Sequence, residues 1–590
     1  MQYYVNKSTD TVADLYLAYG FLQLIAKITP DDTPLNPTLR DDGWSYLITL
    51  NKPLQPEWFE RHEYPIRLNH FIQTASKTAV QRPPYIIPMD SVEYDYEKGK
   101  YDGWRDAYWK LSGKDRHSGS VENLLLEQGI ERHNPDFPVW ALINQQKAIK
   151  SYNKIVMTWH QHRGEAFAGL LRIIFDLFAN PINDIDYAQG QWREVAVAHG
   201  LEVNVTETAT QIINPGVGKG SHNSKMTGVK EGNLDNFWLM DYLRYAGMYT
   251  AGIPLVVQGG SDRKTYLPVP NQLTWNMASQ RVFTIFRDKM TASTPIKLDI
   301  LSVFRYAAAY LDQWVEAQKR SKGFGLSKGS PSDHARAIAV VSLKDMGSGH
   351  AVMGMNELNI PEWVQIETPA DGARFQEIIK EHQSVVISLD EKHSDEHSLL
   401  RDYRRFLSTG ELSTFLEFTR GFSGVTMSRL NEGSYAPQFT LPYLQEVLMA
   451  VRPDITPILQ DSGFRAVAEA IRRSTVVPLV RQSRKQENLY DVRYGLGDKL
   501  MRASLDRNRF VRELTDFMFR YNQETAQVSA SRKVQAFRSA ITMEDVEAVA
   551  ALIDTCKDCQ LIAGLLVAYG YARDPEMGKH EKQDQTQGEE

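Results

Sequence analysis

The sequence predicts an α+β fold, with a large mixed α/β region at the N-terminal side and a helical bundle at the C-terminal side. The first 440 residues mix helical periodicity with short β-branched runs. From residue 441 to 571 almost every apolar pattern has helical spacing, separated by short breaks. We therefore expect a mixed α/β region at 1–440, a helical bundle at 441–575 and a polar tail at 576–590.

Within the N-terminal region the patterns assign individual elements. Apolar residues at helical spacing predict helices at 11–28 and 167–179, and two helices within 283–320 that are separated near Pro295. Alternating or β-branched runs predict strands at 44–50, 253–257 and 337–343. The stretch 82–101 is rich in Pro and Tyr, and it predicts an extended loop.

The C-terminal region is predicted to be helical throughout. Its apolar stripes place helices at 443–451, 455–473, 487–505, 507–524, 543–556 and 559–571. The run at 561–572 is too short to cross a bilayer, which takes about 20 residues, and we expect a core helix there.

Charge is unevenly distributed along a chain whose net charge is −6. Residues 465–538 contain 16 Lys or Arg against 8 Asp or Glu, whereas residues 541–590 contain 4 against 11. Basic side chains presented from helices can follow a phosphate backbone. They can equally form a solvated face that pairs with the acidic neighbour, and charge alone leaves both interpretations open.

Composition also bears on location. The chain of 590 residues has two cysteines and begins with no charged-then-apolar leader pattern. We expect a cytoplasmic protein without a membrane-spanning segment.

The most unusual segment is Asn-Pro-Gly-Val-Gly-Lys-Gly-Ser-His-Asn-Ser-Lys at 214–225. A nucleotide-binding P-loop requires Gly-Lys followed directly by Ser or Thr, but here Gly220 follows Lys219. The segment is therefore either a flexible basic loop that contacts a nucleic-acid backbone or a plain connector.

Candidate catalytic and metal-binding residues are few. His160 and His162 lie two apart without a third ligand at informative spacing, so structural histidines are favoured. Cys556 and Cys559 form one CxxC without a second pair, which favours thiols between two apolar helices. We expect no catalytic residue, no metal and no cofactor.

A helix is expected to begin near Asn233, after the Gly-rich segment. Trp238, Leu239, Tyr242 and Tyr245 share its apolar stripe, and Tyr249 follows. We favour a core role for these aromatic residues, and we expect Arg244 to point outward as a candidate DNA contact.

Two blocks together resemble a known family. The first is the segment 214–225 followed by Phe-Trp-Leu-Met-Asp-Tyr-Leu-Arg-Tyr-Ala-Gly at 237–247. The second comprises Ala-Ile-Arg-Arg-Ser-Thr at 470–475, Tyr-Asp-Val-Arg-Tyr-Gly-Leu at 490–496 and Phe-Val-Arg-Glu-Leu…Phe-Met-Phe-Arg-Tyr-Asn at 510–522. They resemble the large subunit of type I CRISPR surveillance complexes (Cascade), of the I-A/I-B kind and its Myxococcus-type branch. The likeness covers residues 210–260 and 465–525.

The resemblance implies a non-catalytic subunit in antiviral defence. Guide RNA supplies sequence recognition by pairing, while the protein inspects the protospacer-adjacent motif (PAM) and stabilises the R-loop. The N-terminal region would dock at the 5′ end of the guide, and its predicted duplex contacts are Lys219, Asn223, Lys225 and Lys230. The bundle would line the displaced strand, and its predicted backbone contacts are Arg472, Arg473, Arg481, Arg484, Lys485, Arg493 and Arg502.

The implied partners are the CRISPR guide RNA, target double-stranded DNA, the Cascade backbone and 5′-end subunits, and a helicase-nuclease or a transposition adaptor. A small subunit translated from an internal start at Met449, or alternatively Met427, is a further expectation. Two other interpretations stay open at this point: an enzyme that uses His160 or His162 with a carboxylate, and a purely structural scaffold.

Overall fold

The structure of the protein is a computed structural model. It describes residues 1–33, 35–76, 80–112, 121–203, 206–208, 211–215, 235–320, 329–347, 350–486, 488–532 and 538–575. The fold is α+β, as the sequence predicts, and helices dominate.

The described chain divides into two compact units. The first contains residues 1–293 and 331–360, and the second contains 294–330 and 361–590. This division differs from the boundary at residue 440 that composition suggests, because helices between 295 and 431 pack with the C-terminal helices. Periodicity shows that a segment is helical, but it does not show which core the segment joins.

The first unit carries the described strands. They are β1 (Gln2–Asn6), β2 (Thr38–Asp41), β3 (Ser45–Thr49), β4 (Phe71–Gln73), β5 (Ser91–Glu93), β6 (Thr206–Thr208), β7 (Asp235–Phe237), β8 (Ile253–Val256), β9 (Arg263–Pro270), β10 (Leu273–Thr274), β11 (Ala335–Asp345) and β12 (His350–Asn359). Two four-stranded antiparallel sheets have the orders β1-β3-β2-β10 and β12-β11-β9-β8. The strands predicted at 44–50, 253–257 and 337–343 are confirmed.

The helices of the first unit are α1 (Val12–Ile28), α2 (Glu57–Glu60), α3 (Tyr94–Lys110), α4 (Val121–Glu127), α5 (Phe137–Gln145), α6 (Ile149–Gln161), α7 (Glu165–Ala179), α8 (Ile185–Ala198), α9 (Trp238–Ala251), α10 (Met277–Lys289) and, out of chain order, the short helix Pro331–His334. The loop predicted at 82–101 is wrong in its second half, where α3 begins directly after β5. The prolines that suggested a loop end at Pro88, and beyond them the aromatic residues recur at helical spacing.

Two helices form the centre of the first unit. α1 and α9 are buried on almost every side, and they cross where each carries a glycine. A Cβ atom on Gly20 would lie 1.8 Å from the carbonyl oxygen of Leu243, and one on Gly247 would lie 1.8 Å from that of Tyr16. The backbones approach so closely that neither glycine can be replaced without separating the helices.

In the described residues the regular elements of the second unit are helical. The short helix Pro331–His334 of the first unit is α12 in chain order. The helices of the second unit are α11 (Pro295–Arg320), α13 (Pro369–Ser388), α14 (Ser394–Thr409), α15 (Leu412–Asn431), α16 (Leu441–Val451), α17 (Thr456–Gln460), α18 (Ser462–Ser474), α19 (Val476–Ser483), α20 (Leu496–Ala503), α21 (Arg507–Arg532), α22 (Met543–Cys556) and α23 (Cys559–Gly570). Pro295 begins α11 and so separates it from α10, as predicted.

The expected internal start at Met449 falls inside α16. A product that began there would lack α15, whose Leu416 packs against Gly564 of α23. The apolar face of α23 that packs against α15 would then be exposed to solvent unless another segment packed on it. No helix in the described ranges is long and apolar enough to cross a membrane.

Candidate nucleic-acid interface

Four of the predicted DNA-contacting residues, Lys219, Asn223, Lys225 and Lys230, lie outside the described residues. The last described residues before them, Asn214 and Pro215, are buried. After them β7 leads directly into α9, so that helix begins at Trp238 rather than near Asn233.

Arg244 does not point outward, contrary to the sequence-based expectation. It is 4% exposed, and its Nη1 donates to Oδ1 of Asp241 at 2.8 Å. Because α9 is buried around nearly its whole circumference, an acid and a base three residues apart pair inside the unit. The aromatic residues Tyr242 and Tyr245 are buried as expected.

Arg472 is also internal, although it was predicted to contact the DNA backbone. It is 3% exposed, its Nη2 donates to the carbonyl oxygen of Tyr569 at 2.8 Å and its Nη1 to Asp574 at 3.1 Å. Burial lowers the pKa of Arg472. The neighbouring Arg473 pairs with Glu469 one turn earlier, at 2.8 Å. Both side chains serve the packing of α18.

Arg493 and Arg481 have intermediate exposure. The guanidinium of Arg493 lies 3.5 Å from the carboxylate of Glu524 and above the ring of Phe517. Its backbone N–H donates to the carbonyl oxygen of Ser474 at 2.8 Å. Arg481 lies in the last turn of α19, where the helix dipole stabilises a positive charge.

The remaining predicted contacts are on the surface. Arg484, Lys485 and Arg502 are exposed, and within the described chain none of them forms an ion pair with a carboxylate. Lys485 has a positive φ of 57°, so the chain reverses there as α19 ends. These three side chains are available to an anionic ligand.

A further group of exposed side chains, not predicted from the sequence, lies on α21. Arg509 and Arg512 are exposed three residues apart, and Phe519 is 68% exposed seven residues later on the same side of the helix. Neither arginine forms an ion pair with a described carboxylate, whereas Arg507 pairs with Asp554 and Arg520 with Asp516. The signal in the sequence was the pair of arginines three apart, followed by an aromatic residue outside the apolar stripe.

The two histidines of the enzyme interpretation are buried side chains. His162 contacts the carbonyl oxygen of Thr158 through Nδ1 at 2.8 Å, and its Nε2 accepts from Nε1 of Trp192 at 3.1 Å. His160 is 3% exposed, and its Nδ1 lies 4.0 Å from a carboxylate oxygen of Asp90. Burial lowers the pKa of each histidine to about 4. His162 is thereby fixed as a neutral structural residue.

Cys556 and Cys559 are free thiols at the junction of α22 and α23. Burial raises the pKa of Cys559. Among the described residues, no three His, Cys, Asp or Glu side chains are grouped so that they could hold a metal ion.

No family model matches this chain, and no curated protein matches it.

Proposed function

We propose that this chain binds nucleic acid as a non-catalytic large subunit of a type I CRISPR RNA-guided surveillance complex. In this proposal guide RNA pairs with the target, and the protein recognises the PAM and holds the displaced strand. The family assignment rests on the two sequence blocks at 210–260 and 465–525.

The observation that carries nucleic-acid binding is the set of exposed cations in the second unit. Arg502 lies on α20, and Arg509 and Arg512 lie on α21 beside the exposed ring of Phe519. Arginines without carboxylate partners retain their full attraction for phosphate, and an exposed ring offers a face on which a base can stack. This combination suits a single strand, and the displaced DNA strand is the one that the proposal assigns to it.

The proposed partners follow from this role. They are the guide RNA, target double-stranded DNA, the Cascade backbone and 5′-end subunits, a small subunit from the internal start at Met449, and a helicase-nuclease or transposition adaptor. The duplex contact is assigned to the segment with Lys219, Asn223, Lys225 and Lys230. The proposal assigns no chemical step to the chain.

A charge-removal variant tests the interface. Arg502→Gln, Arg509→Gln and Arg512→Gln are combined in the full-length protein, and anisotropy of a labelled 30-nucleotide DNA strand is measured across a salt series. If each arginine contacts one phosphate, the slope of log K against log salt should decrease by about 2, at roughly 0.7 per contact for single strands.

The matched control combines Arg401→Gln, Arg405→Gln and Lys557→Gln, which are exposed cations of the same unit. It removes the same charge and should leave the slope unchanged. Equal slopes for wild type and both variants would rule out the helical interface. Purification of the protein from its native cells tests the larger proposal, since absence of a guide RNA from the recovered complex would contradict it.

A further inference from the structure

The first unit contains a cavity that the proposed interface does not use. It has a volume of about 530 Å³ and lies between α3, α5, β8, the turn at 257–260 and the residues after α10. Pockets of roughly 300–1,000 Å³ are the usual size for small molecules and cofactors.

One wall of the cavity is aromatic. Tyr94, Tyr101, Trp104 and Tyr108 recur along α3 at spacings of seven, three and four, so they share one side of the helix. Of the residues in α3 only Tyr94 is buried, while the other three have intermediate exposure. The stripe therefore faces the cavity instead of filling the core.

Ring contacts hold this wall in place. The ring of Tyr101 meets those of Phe137 and His133, each at 4.9 Å between centroids. Tyr94 packs on Phe137 at 5.6 Å. Trp104 and Tyr108 continue the same side of the helix along the cavity, and an aromatic wall braced in this way can receive a planar ligand face to face.

A buried cation also lines the cavity. Arg263, the first residue of β9, is 6% exposed and lines the cavity. Its Nε donates to Oε1 of Gln145, and no carboxylate pairs with it in the described residues. Burial lowers the pKa of Arg263. A buried guanidinium without a counter-charge is costly, and a ligand that supplies acceptor atoms would offset that cost.

Charge in the cavity favours an electron-rich ligand. Five Lys or Arg line it against two Asp. Arg287 and Arg132 are paired with Asp136 and Asp288. Lys98 and Arg105 are about half exposed, and each pairs with Asp102, at 3.5 and 3.0 Å. The excess of positive charge disfavours a cationic ligand, although aromatic walls alone would accept one.

We propose that this cavity binds a nucleotide, with its base stacked on the aromatic side of α3. Acceptor atoms on the base edge face Arg263, and the phosphate lies toward the exposed cations Lys98 and Arg105. Base stacking, a guanidinium fork at an acceptor edge and surface cations at phosphate are the three interactions that a nucleotide requires. The site goes beyond the proposed interface, which lies on the second unit.

Binding of nucleotides to the full-length protein tests the site. Two kinds of probe are used. Binding of the four ribonucleoside 5′-monophosphates is measured by calorimetry, and binding of labelled RNA and DNA pentanucleotides is measured by fluorescence anisotropy. Trp104→Ala should weaken binding about tenfold, within the range of one lost base-stacking contact. Trp44→Ala removes a tryptophan of the same unit that is 92% exposed and does not line the cavity, and it should bind as wild type does.

Arg263→Lys keeps the charge but removes the planar fork, and it should also weaken binding. Circular dichroism establishes whether this buried variant folds, and Trp104→Ala carries the test if it does not. Binding of monophosphates that Trp104→Ala weakens identifies a free nucleotide as the ligand, and binding of pentanucleotides alone that Trp104→Ala weakens identifies a residue of a single strand; both support the site.

The site is wrong if neither probe class binds, or if Trp104→Ala binds as tightly as Trp44→Ala. That result would leave the salt-slope experiment on Arg502, Arg509 and Arg512 unaffected, because it uses different residues and a different readout. An unchanged salt slope in the Arg502, Arg509 and Arg512 variant would likewise not contradict nucleotide binding in the cavity.

Discussion

The basic segment at 465–538 contains two kinds of arginine, and they differ in what surrounds the guanidinium. Arg538 has a side chain that is 1% exposed between the rings of Tyr490 and Tyr521, at 3.8 and 4.2 Å from their centroids. It also donates to Thr525 Oγ1 and to the carboxylate of Glu524. Arg509 and Arg512 are exposed and pair with no described carboxylate. The same net charge in sequence thus serves stability at one position and remains available for binding at another.

Buried histidines extend this comparison to groups that are neutral in the folded protein. Together they give the largest expected effect on the unfolding free energy, through its dependence on pH. His160, His162 and His334 of the first unit each have a pKa of about 4 because burial disfavours the charged form. The unfolded chain, with histidine pKa about 6.5, binds more protons below that pH. Stability is therefore complete above pH 6.5 and is lost as pH falls toward 4, by about 2–3 kcal/mol per histidine and about 6–9 kcal/mol for the three together at pH 4.5.

Urea unfolding between pH 7 and 4.5 measures this loss. His162→Gln should reduce the slope of stability against pH by about one proton. An unchanged slope in His162→Gln would mean that His162 does not become protonated on unfolding.

The buried arginine gives the next largest effect. Arg538→Ala should lower the unfolding free energy of the second unit by about 4 kcal/mol, because it removes a buried guanidinium that contacts two tyrosine rings and donates to Glu524 and to the carbonyl oxygen of Tyr521. Arg538→Lys should recover part of this loss, since the charge remains but the stacking and the fork do not. Denaturant unfolding of both variants decides the point, and a loss under 1 kcal/mol in Arg538→Ala would contradict the role given to burial.

The exposed arginines give the smallest effect on stability. Combining Arg502→Gln, Arg509→Gln and Arg512→Gln should change the unfolding free energy by less than about 0.5 kcal/mol per site, because no described ion pair is lost. Thermal unfolding beside wild type measures it. A large destabilisation would show that these side chains belong to the structural kind after all, and it would remove the basis for their role in binding.

Arg244 and Arg472 show why the sequence could not separate the two kinds. Each lies on a helix with an apolar stripe; Arg244 stands on the side opposite the stripe, and Arg472 stands at its border. Arg244 is buried because α9 is enclosed on nearly all sides. Arg472 is buried because Tyr569 and Asp574, about 100 residues later in the chain, pack against it and accept its hydrogen bonds. Periodicity reports one buried face, and it cannot report a second neighbour that covers the opposite one.

The aromatic stripe of α3 illustrates the reverse case. Its spacing was visible in the sequence at Tyr94, Tyr101, Trp104 and Tyr108, but the stretch was interpreted as a loop because of the prolines before it. The helix places these rings on one side, and the position of β8 and Arg263 turns that side into a cavity wall. A local pattern predicts the helix face, whereas other residues of the cavity lining come about 150 positions later in the chain.

By itself, the sequence determined the α+β class, about half of the described helices, three of the described strands and the helix break at Pro295, because these follow from local periodicity and local backbone constraints. Only the tertiary structure decided that α11 and α13–α15 join the C-terminal helices, and which arginines are enclosed. Burial depends on contacts between residues far apart in the chain, and such contacts leave no periodic trace in either segment alone.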